Sequence, residues 1–169
     1  MKHLFCPWRS NYSKDEGRSK QEDTTQKECV FCKQLHQQAD AQHFILKRYP
    51  HHAVMLNKYP YNAGHLLIIP LEHTAELYSL SREAQHELIE LVSLCSNVLT
   101  KALKAHGINV GLNLGKAAGA GIPSHLHMHV LPRFTGDTNF LPTLTDTKTV
   151  SFDLKEIYQQ LLPYFGETI

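Results

Sequence analysis

The stretch SHLHMHVLPR, residues 124–133, decides the fold, because polar and apolar side chains alternate along it. Successive side chains of a β-strand point to opposite faces, so the alternation predicts a strand with its apolar side chains toward the core. His125, His127 and His129 then share the other face and span about 13 Å, at roughly 6.6 Å for every two residues. One metal ion, with bonds to histidine of about 2.0–2.1 Å, can engage at most two neighbours. The row therefore suits an extended anion such as a polyphosphate.

A glycine-rich segment, GKAAGAGIPS at 115–124, comes directly before this strand. Glycine lets backbone amides approach a ligand closely, and such amides form concavities that bind anions. The segment lacks the GxxxxGK[ST] spacing of the usual nucleoside triphosphate loop. A neutral imidazole can attack a phosphoryl centre and form a covalent phosphoramidate, while a second, protonated imidazole stabilises the phosphate charge. The combination predicts phosphoryl or nucleotidyl transfer.

The overall composition is typical of one globular domain with a sizeable core. The chain has 169 residues, of which 42% are hydrophobic. Its net charge of +1 shows no basic excess, so we expect no nucleic-acid partner. No apolar run approaches the roughly 20 residues of a membrane span, and the first residues lack the apolar core of a signal peptide. We expect no membrane association and a cytoplasmic location.

The cysteine pattern points to a metal or to redox chemistry. Cys29 and Cys32 form a CxxC pair, and the four cysteines do not make a disulfide framework. In a reducing compartment this pair is typical of half a metal site or of a redox pair. Twelve histidines could supply the remaining ligands.

Beyond the opening stretch, the hydrophobic pattern predicts an antiparallel α+β domain. Short apolar runs indicate strands, and apolar residues at three- and four-residue spacing indicate amphipathic helices. Ser81 is the expected N-cap of a long helix, and Gly107 its expected C-terminal stop. Short links between the strands place the helices on one side of the sheet. The predicted strands lie at 51–57, 64–70, 109–115 and 125–132, and a second helix is predicted in 152–164.

The chain before the CxxC pair is expected to lie outside the domain. Residues 10–28 are polar and mixed in charge, which favours a loop over a core element. We therefore predict an N-terminal arm and mobile loop at 1–28 and a single domain at 29–169. The remaining histidines are interpreted as incidental or surface residues, among them His51, His52, His86 and His106.

At this point the sequence resembles a known family. HLHMHVL (125–131) is similar to the His-x-His-x-His motif of the histidine triad nucleotide hydrolases and transferases. LNKYPYNAGHLLIIPLEH (56–73) and GLNLGKAAGAGIPSHLHMHVLPRFTGDTNF (111–140) resemble the family's upstream segment and core. PWR, CVFC and PRFTGDTNF resemble a bacterial branch similar to diadenosine tetraphosphate phosphorylase. The resemblance implies a sheet of about five antiparallel strands with two helices, and homodimers.

The resemblance also implies roles for individual residues. His127 would attack an α-phosphate and become nucleotidylated, His129 would contact the phosphate and assist the leaving group, and His125 completes the catalytic triad. Asn57 would bind the ribose, and His65 matches another active-site histidine. Gly121 stands where several hydrolases of the family carry glutamine, which weakens a purely hydrolytic reading. The implied phosphate-facing residues are Asn113, Gly115, Gly119 and Gly121, and Ser124 could add a hydrogen bond.

A zinc site is implied in the same way. In related proteins a CxxC pairs with two histidines, which here are His73 and His125, so Cys29, Cys32, His73 and His125 would hold a structural zinc ion. His36 and His43 could substitute as ligands, and no organic cofactor is expected. Two rival functions remain open: a nucleoside phosphoramidase, and a nucleotide-binding or interaction module without turnover.

Overall fold

The computed structural model describes residues 29–138 and 152–166, so the predicted arm and loop at 1–28 lie outside the described residues. The helices are α1 (Val30–His36), α2 (Asp40–His43), α3 (Arg82–Leu103) and α4 (Leu154–Gly166). The strands are β1 (Ile45–Arg48), β2 (His52–Leu56), β3 (Leu66–Pro70), β4 (Gly107–Leu112) and β5 (Met128–Arg133). Single 3-10 turns lie at Leu77–Ser79 and Lys116–Ala118.

The five strands form one antiparallel sheet in the order β1-β2-β3-β5-β4. The register places Leu66 of β3 and Val110 of β4 on either side of Val130, so β5 lies inside the sheet and β4 at its edge. An α+β domain with an antiparallel sheet and helices is therefore confirmed.

Alternation along the strands gives the sheet two apolar faces. Val54, Ile68 and Val130 pack under α3 and α4 in the larger core cluster. Ala53 and Leu67, one residue away from Val54 and Ile68, join a second cluster with residues of α1. His129 follows Met128 on β5, and so faces the α1 side rather than the helical core.

The long helix begins where its sequence predicts. Ser81 is the N-cap, and its hydroxyl oxygen accepts a hydrogen bond from the backbone N–H of Ala84 at 3.1 Å. The predicted stop at Gly107 is wrong, because the helix ends at Leu103 and Lys104 adopts the left-handed conformation. Gly107 instead begins β4. None of the helices in the described residues has the length and apolar character that a bilayer-spanning segment needs.

The strand that carries the triad is shorter than predicted. β5 begins only at Met128, so His125 and His127 lie in the irregular segment before it. The backbone N–H of Leu126 donates to the carbonyl of Thr74 at 2.7 Å, which ties this segment to the loop after β3. The helix α1 and the strand β1 were not predicted, because each is short and lacks a long periodic pattern.

Candidate active site

Four aromatic rings form a continuous row on the α1 side of the sheet. The ring centroids of His127 and His129 lie 5.0 Å apart, and those of His129 and His65 lie 5.1 Å apart. Tyr61 closes the row, with its ring centroid 4.8 Å from that of His65. Two predicted triad members and the predicted upstream histidine are therefore brought together from β5, from the segment just before it and from the loop before β3.

Backbone contacts determine where the protons of this row lie. The backbone N–H of Tyr61 donates to Nδ1 of His65 at 3.2 Å, so the proton of this buried ring is on Nε2. His65 Nε2–H can then donate to Nδ1 of His129, 2.9 Å away. His129 accepts at Nδ1, so its own proton lies on Nε2. The relay makes His129 a hydrogen-bond donor at Nε2, the polarity needed to stabilise a phosphate oxygen.

His127 has the opposite tautomer. Its Nδ1–H donates to the backbone carbonyl of His125 at 2.8 Å, which leaves the lone pair on Nε2. The ring is 7% exposed and packs against Phe31, with centroids 5.2 Å apart. Burial lowers the pKa of His127, so the imidazole is neutral near pH 7. A neutral imidazole with an available nitrogen lone pair is a nucleophile.

A cavity of about 140 Å³ opens beside these rings. Its polar wall contains six of the predicted site residues, and its apolar wall comes from α1, β2, β3 and the glycine-rich segment. Gly115 and Ser124 do not line it; the buried hydroxyl of Ser124 has no hydrogen-bond partner among the described residues. The predicted residues that line the cavity are Asn57, Asn113, Gly119, Gly121, His127 and His129.

The predicted metal ligands also come together. One donor atom each from Cys29, Cys32, His73 and His125 lies within 4.8 Å of the other three. His125 Nδ1 is 3.3 Å from Cys29 Sγ, 3.4 Å from Cys32 Sγ and 3.3 Å from His73 Nδ1, and Cys32 Sγ is 3.2 Å from His73 Nδ1. Ligand atoms on a tetrahedron with bonds of about 2.0–2.3 Å lie roughly 3.3–3.8 Å apart. The spacing therefore fits a tetrahedral ion.

The protonation of His125 also fits a metal ligand. Its Nε2–H donates to the carbonyl of Pro70 at 2.9 Å, which leaves Nδ1 unprotonated and directed at the cysteines. Burial, assisted by the nearby His73, lowers the pKa of His125 to about 4. His36 is exposed and His43 Nε2 contacts Gln37 Oε1 at 2.6 Å, so neither alternative ligand joins the cluster. The cluster can hold a metal ion.

One histidine that the sequence analysis regarded as incidental is fully buried. His52 is 0% exposed, and its Nδ1–H donates to the carboxylate of Glu87 on α3 at 2.8 Å. It faces the helices, opposite the cavity. The alternation of β2 places His52 on the same face as Val54 and Leu56, which is the signal that could have identified it.

The comparison with family models assigns residues 38–136 to the HIT domain. The chain belongs to the HIT family of histidine triad proteins, whose members include nucleotide hydrolases and transferases.

Three relatives illustrate the range of the family. The AP-4-A phosphorylase of Mycobacterium tuberculosis is 31% identical over 150 residues, which cover 89% of this chain and 77% of that protein. The adenosine 5′-monophosphoramidase of Schizosaccharomyces pombe is 31% identical over 105 residues, 62% of this chain and 74% of that protein. A zinc-bound histidine triad family protein from Mycobacterium smegmatis superposes with a TM-score of 0.68 at 25% identity, covering 84% of this chain and 96% of that one.

Proposed function

We propose that this protein transfers or hydrolyses the nucleotidyl group of an adenine nucleotide or a dinucleoside polyphosphate, through a nucleotidyl-histidine intermediate at His127. The observation that carries the proposal is the hydrogen bond from His127 Nδ1–H to the His125 carbonyl, 2.8 Å long. It directs the lone pair of Nε2 away from the backbone, on a ring that lines the cavity. The similarity to a phosphorylase of diadenosine tetraphosphate supports the choice of substrate.

The proposed reaction has two steps. His127 Nε2 attacks the α-phosphorus, a P–N bond forms, and the bond to the bridging oxygen breaks as the remaining polyphosphate leaves with the electron pair. The leaving oxygen accepts a hydrogen bond from His129 Nε2–H, whose donor character is maintained by His65. Water or inorganic phosphate then attacks the same phosphorus, and the P–N electron pair returns to His127. Catalysis rests on positioning and charge stabilisation.

The other polar lining residues are assigned to binding. We propose that Asn57 contacts the ribose, while Asn113 and the glycines at 119 and 121 face the phosphates. Asn57 is well anchored for this role, since its Oδ1 accepts from the backbone N–H of Tyr59 at 3.0 Å and its Nδ2 lies 3.3 Å from His65 Nδ1. Gly115 and Ser124 lie outside the cavity lining, so we assign them no direct contact with the phosphates.

The test is product analysis with diadenosine tetraphosphate, with and without inorganic phosphate. We expect ADP and ATP to form only with phosphate, and His127→Ala to form neither. AMP and ATP formed equally without phosphate would identify a hydrolase. A covalent adduct of one AMP on the wild-type protein, absent in His127→Ala, is the direct evidence for the intermediate.

A second candidate is a nucleoside phosphoramidase. The similarity to the fission-yeast monophosphoramidase favours it, and the same nucleophile would attack a phosphorus bonded to nitrogen. Adenosine 5′-phosphoramidate turned over much faster than diadenosine tetraphosphate would select it. A binding module without turnover would instead show no products with either substrate and nucleotide binding that persists in His127→Ala.

We propose that the metal held by Cys29, Cys32, His73 and His125 is zinc and that its role is structural. A bound zinc ion would join three segments of chain without being part of the reaction. A reducing compartment such as the cytoplasm would keep both cysteines as ligands.

We further propose a domain at 29–169, because α1 and α4, near the two ends of that range, pack against opposite faces of the sheet. The edge strand β4 and the long helix would form a homodimer interface.

A further inference from the structure

One polar side chain of the cavity has no role in the proposed reaction. Gln34 lies on α1, four residues after Val30 and three after Phe31, so all three side chains reach the cavity from the same helix. The lining near the histidines and Asn57 is assigned to phosphate and ribose. The wall that includes Gln34 is otherwise apolar, with Met55, Leu67 and Ile122.

The Oε1 atom of Gln34 is an acceptor for which the described residues provide no donor. This atom is buried and has no hydrogen-bond partner within residues 29–138 and 152–166. A buried carbonyl oxygen that loses water and gains no donor is destabilising. Apolar pockets typically carry a few such polar groups, which orient the ligand and determine its identity. An N–H donor on the bound molecule would therefore satisfy this oxygen.

We propose that Gln34 determines the base preference of the cavity by accepting a hydrogen bond from the 6-amino group of adenine through Oε1. The inference rests on the proposed function, because it requires a nucleotide in this cavity. The flat base would pack against the aliphatic side chains of the apolar wall, and the Gln34 amide would form a hydrogen bond with the polar edge of the base. Glutamine pairs with adenine in the same way in nucleic-acid recognition, where its amide contacts the 6-amino group and a ring nitrogen.

A comparison of adenine with hypoxanthine tests this hydrogen bond most directly, because hypoxanthine carries an oxygen where adenine carries the amino group. With Oε1 toward the base, two acceptors would then face each other, and Oε1 would lose its donor. Rejection of a ligand that leaves a buried polar group unpaired is stronger than rejection on size alone. We expect the affinity for IMP to be roughly tenfold lower than that for AMP, the effect of one buried hydrogen bond.

The experiment measures the affinities of the wild-type protein, Gln34→Leu and Gln37→Leu for AMP and IMP by isothermal titration calorimetry. Leucine has nearly the same volume as glutamine and removes only the amide. Gln37 is a matched control, because it is the exposed C-cap residue of the same helix and does not line the cavity. Melting temperatures measured without nucleotide check that each variant is folded, and Gln34→Leu should not be less stable than the wild type.

The expected result is a roughly tenfold preference for AMP in the wild type and in Gln37→Leu, and nearly equal affinities in Gln34→Leu. Equal affinities in the wild type, or the same preference retained in Gln34→Leu, would overturn the role of Gln34 while leaving the proposed function intact. Failure of both nucleotides to bind the wild-type protein would overturn the proposed function as well.

Discussion

His65 never needs to touch a substrate to influence the reaction. It is fully buried, and the hydrogen bond from the backbone N–H of Tyr61 to its Nδ1 places its proton on Nε2. His65 then donates to Nδ1 of His129, which places the proton of His129 on Nε2 as well. We predict that His65→Asn lowers kcat by roughly tenfold to a hundredfold, less than most direct acid–base contributions because His65 acts through His129, and changes KM less. Steady-state kinetics would show this split, and His86→Asn, an exposed substitution on α3, serves as control. An unchanged kcat would contradict the relay.

The burial of His52 leads to a prediction about how stability depends on pH. Burial lowers its pKa in the folded state, and the hydrogen bond to Glu87 opposes this shift only in part. The unfolded chain therefore binds the proton more readily, and the free energy of unfolding decreases as pH falls below about 6.5. The dependence should be weaker in His52→Asn, which retains a donor near Glu87 but does not titrate. Urea denaturation of both proteins from about pH 5 to about pH 8, on either side of that pKa, measures the difference in the pH dependence of the free energy of unfolding. Parallel curves would contradict it.

At the scale of elements, one glycine allows the active-site loop to pack closely against the long helix. Gly64 has a φ of +80°, and a Cβ at this position would overlap the side chain of Leu103 at the end of α3. We predict that Gly64→Ala destabilises the protein by about 1–3 kcal/mol, through backbone strain and overpacking, and lowers activity because His65 follows directly. Gly166→Ala is the control, since its added methyl group would have no described residue outside its own helix and chain neighbours within 4 Å. Thermal denaturation gives the comparison; equal losses would contradict the packing argument.

The metal cluster connects elements that are distant in sequence. Cys29 and Cys32 lie at the start of α1, His73 follows β3, and His125 precedes β5. We predict about one zinc ion per chain by elemental analysis. A chelator or Cys29→Ser should lower the melting temperature, whereas Cys95→Ser, a change at a buried cysteine of α3 outside the cluster, should not alter the metal content. Protein purified without zinc and unaffected by chelators would contradict this assignment.

The same elements show how far sequence reasoning reaches. The long helix, strands β2 and β3, and the neighbouring positions of the His127 and His129 rings were predictable, because each follows from the pattern of apolar residues. Strand β1 was not, since a bulge between Ile45 and Lys47 interrupts its pairing. The start of β5 was misplaced for another reason: HLHM alternates perfectly, yet His125 turns away to the cysteines. Tertiary contacts, which a local pattern does not contain, decide such positions.

At the scale of the whole molecule, the candidate site also contains both residues that the sequence predicted and residues that it did not. Motif resemblance named the three histidines of the row, six of the residues that line the cavity and the four residues of the metal cluster. It did not identify Gln34, because one glutamine on a short helix is indistinguishable in sequence from a solvated residue, and only the structure shows that it lines the cavity and that its buried Oε1 lacks a donor among the described residues. His52 was missed because burial in the core arises from the packing of α3 on the sheet.

The exposed edge strand of the sheet leads to a prediction about the oligomeric state. Val110 on β4 and Leu114 just after it are 46% and 49% exposed, and an exposed apolar edge strand favours pairing with another chain. We predict that the wild-type protein is a dimer and that Val110→Lys shifts it toward the monomer. Sedimentation equilibrium measures the change, with Leu162→Lys on α4 as a comparable exposed control. A monomeric wild type would rule out this interface.

Helix α1 contributes to both candidate sites: Cys29 is its N-cap and Cys32 lies in its first turn, and its side chains form a wall of the cavity. An ion and a nucleotide bound as proposed would therefore contact the same helix, and we expect their binding free energies to be linked. If the ion raises nucleotide affinity by some factor, the nucleotide must raise ion affinity by the same factor. With such a positive coupling, depletion of either one would weaken the binding of the other, and the supply of nucleotide and the supply of metal would become thermodynamically interdependent.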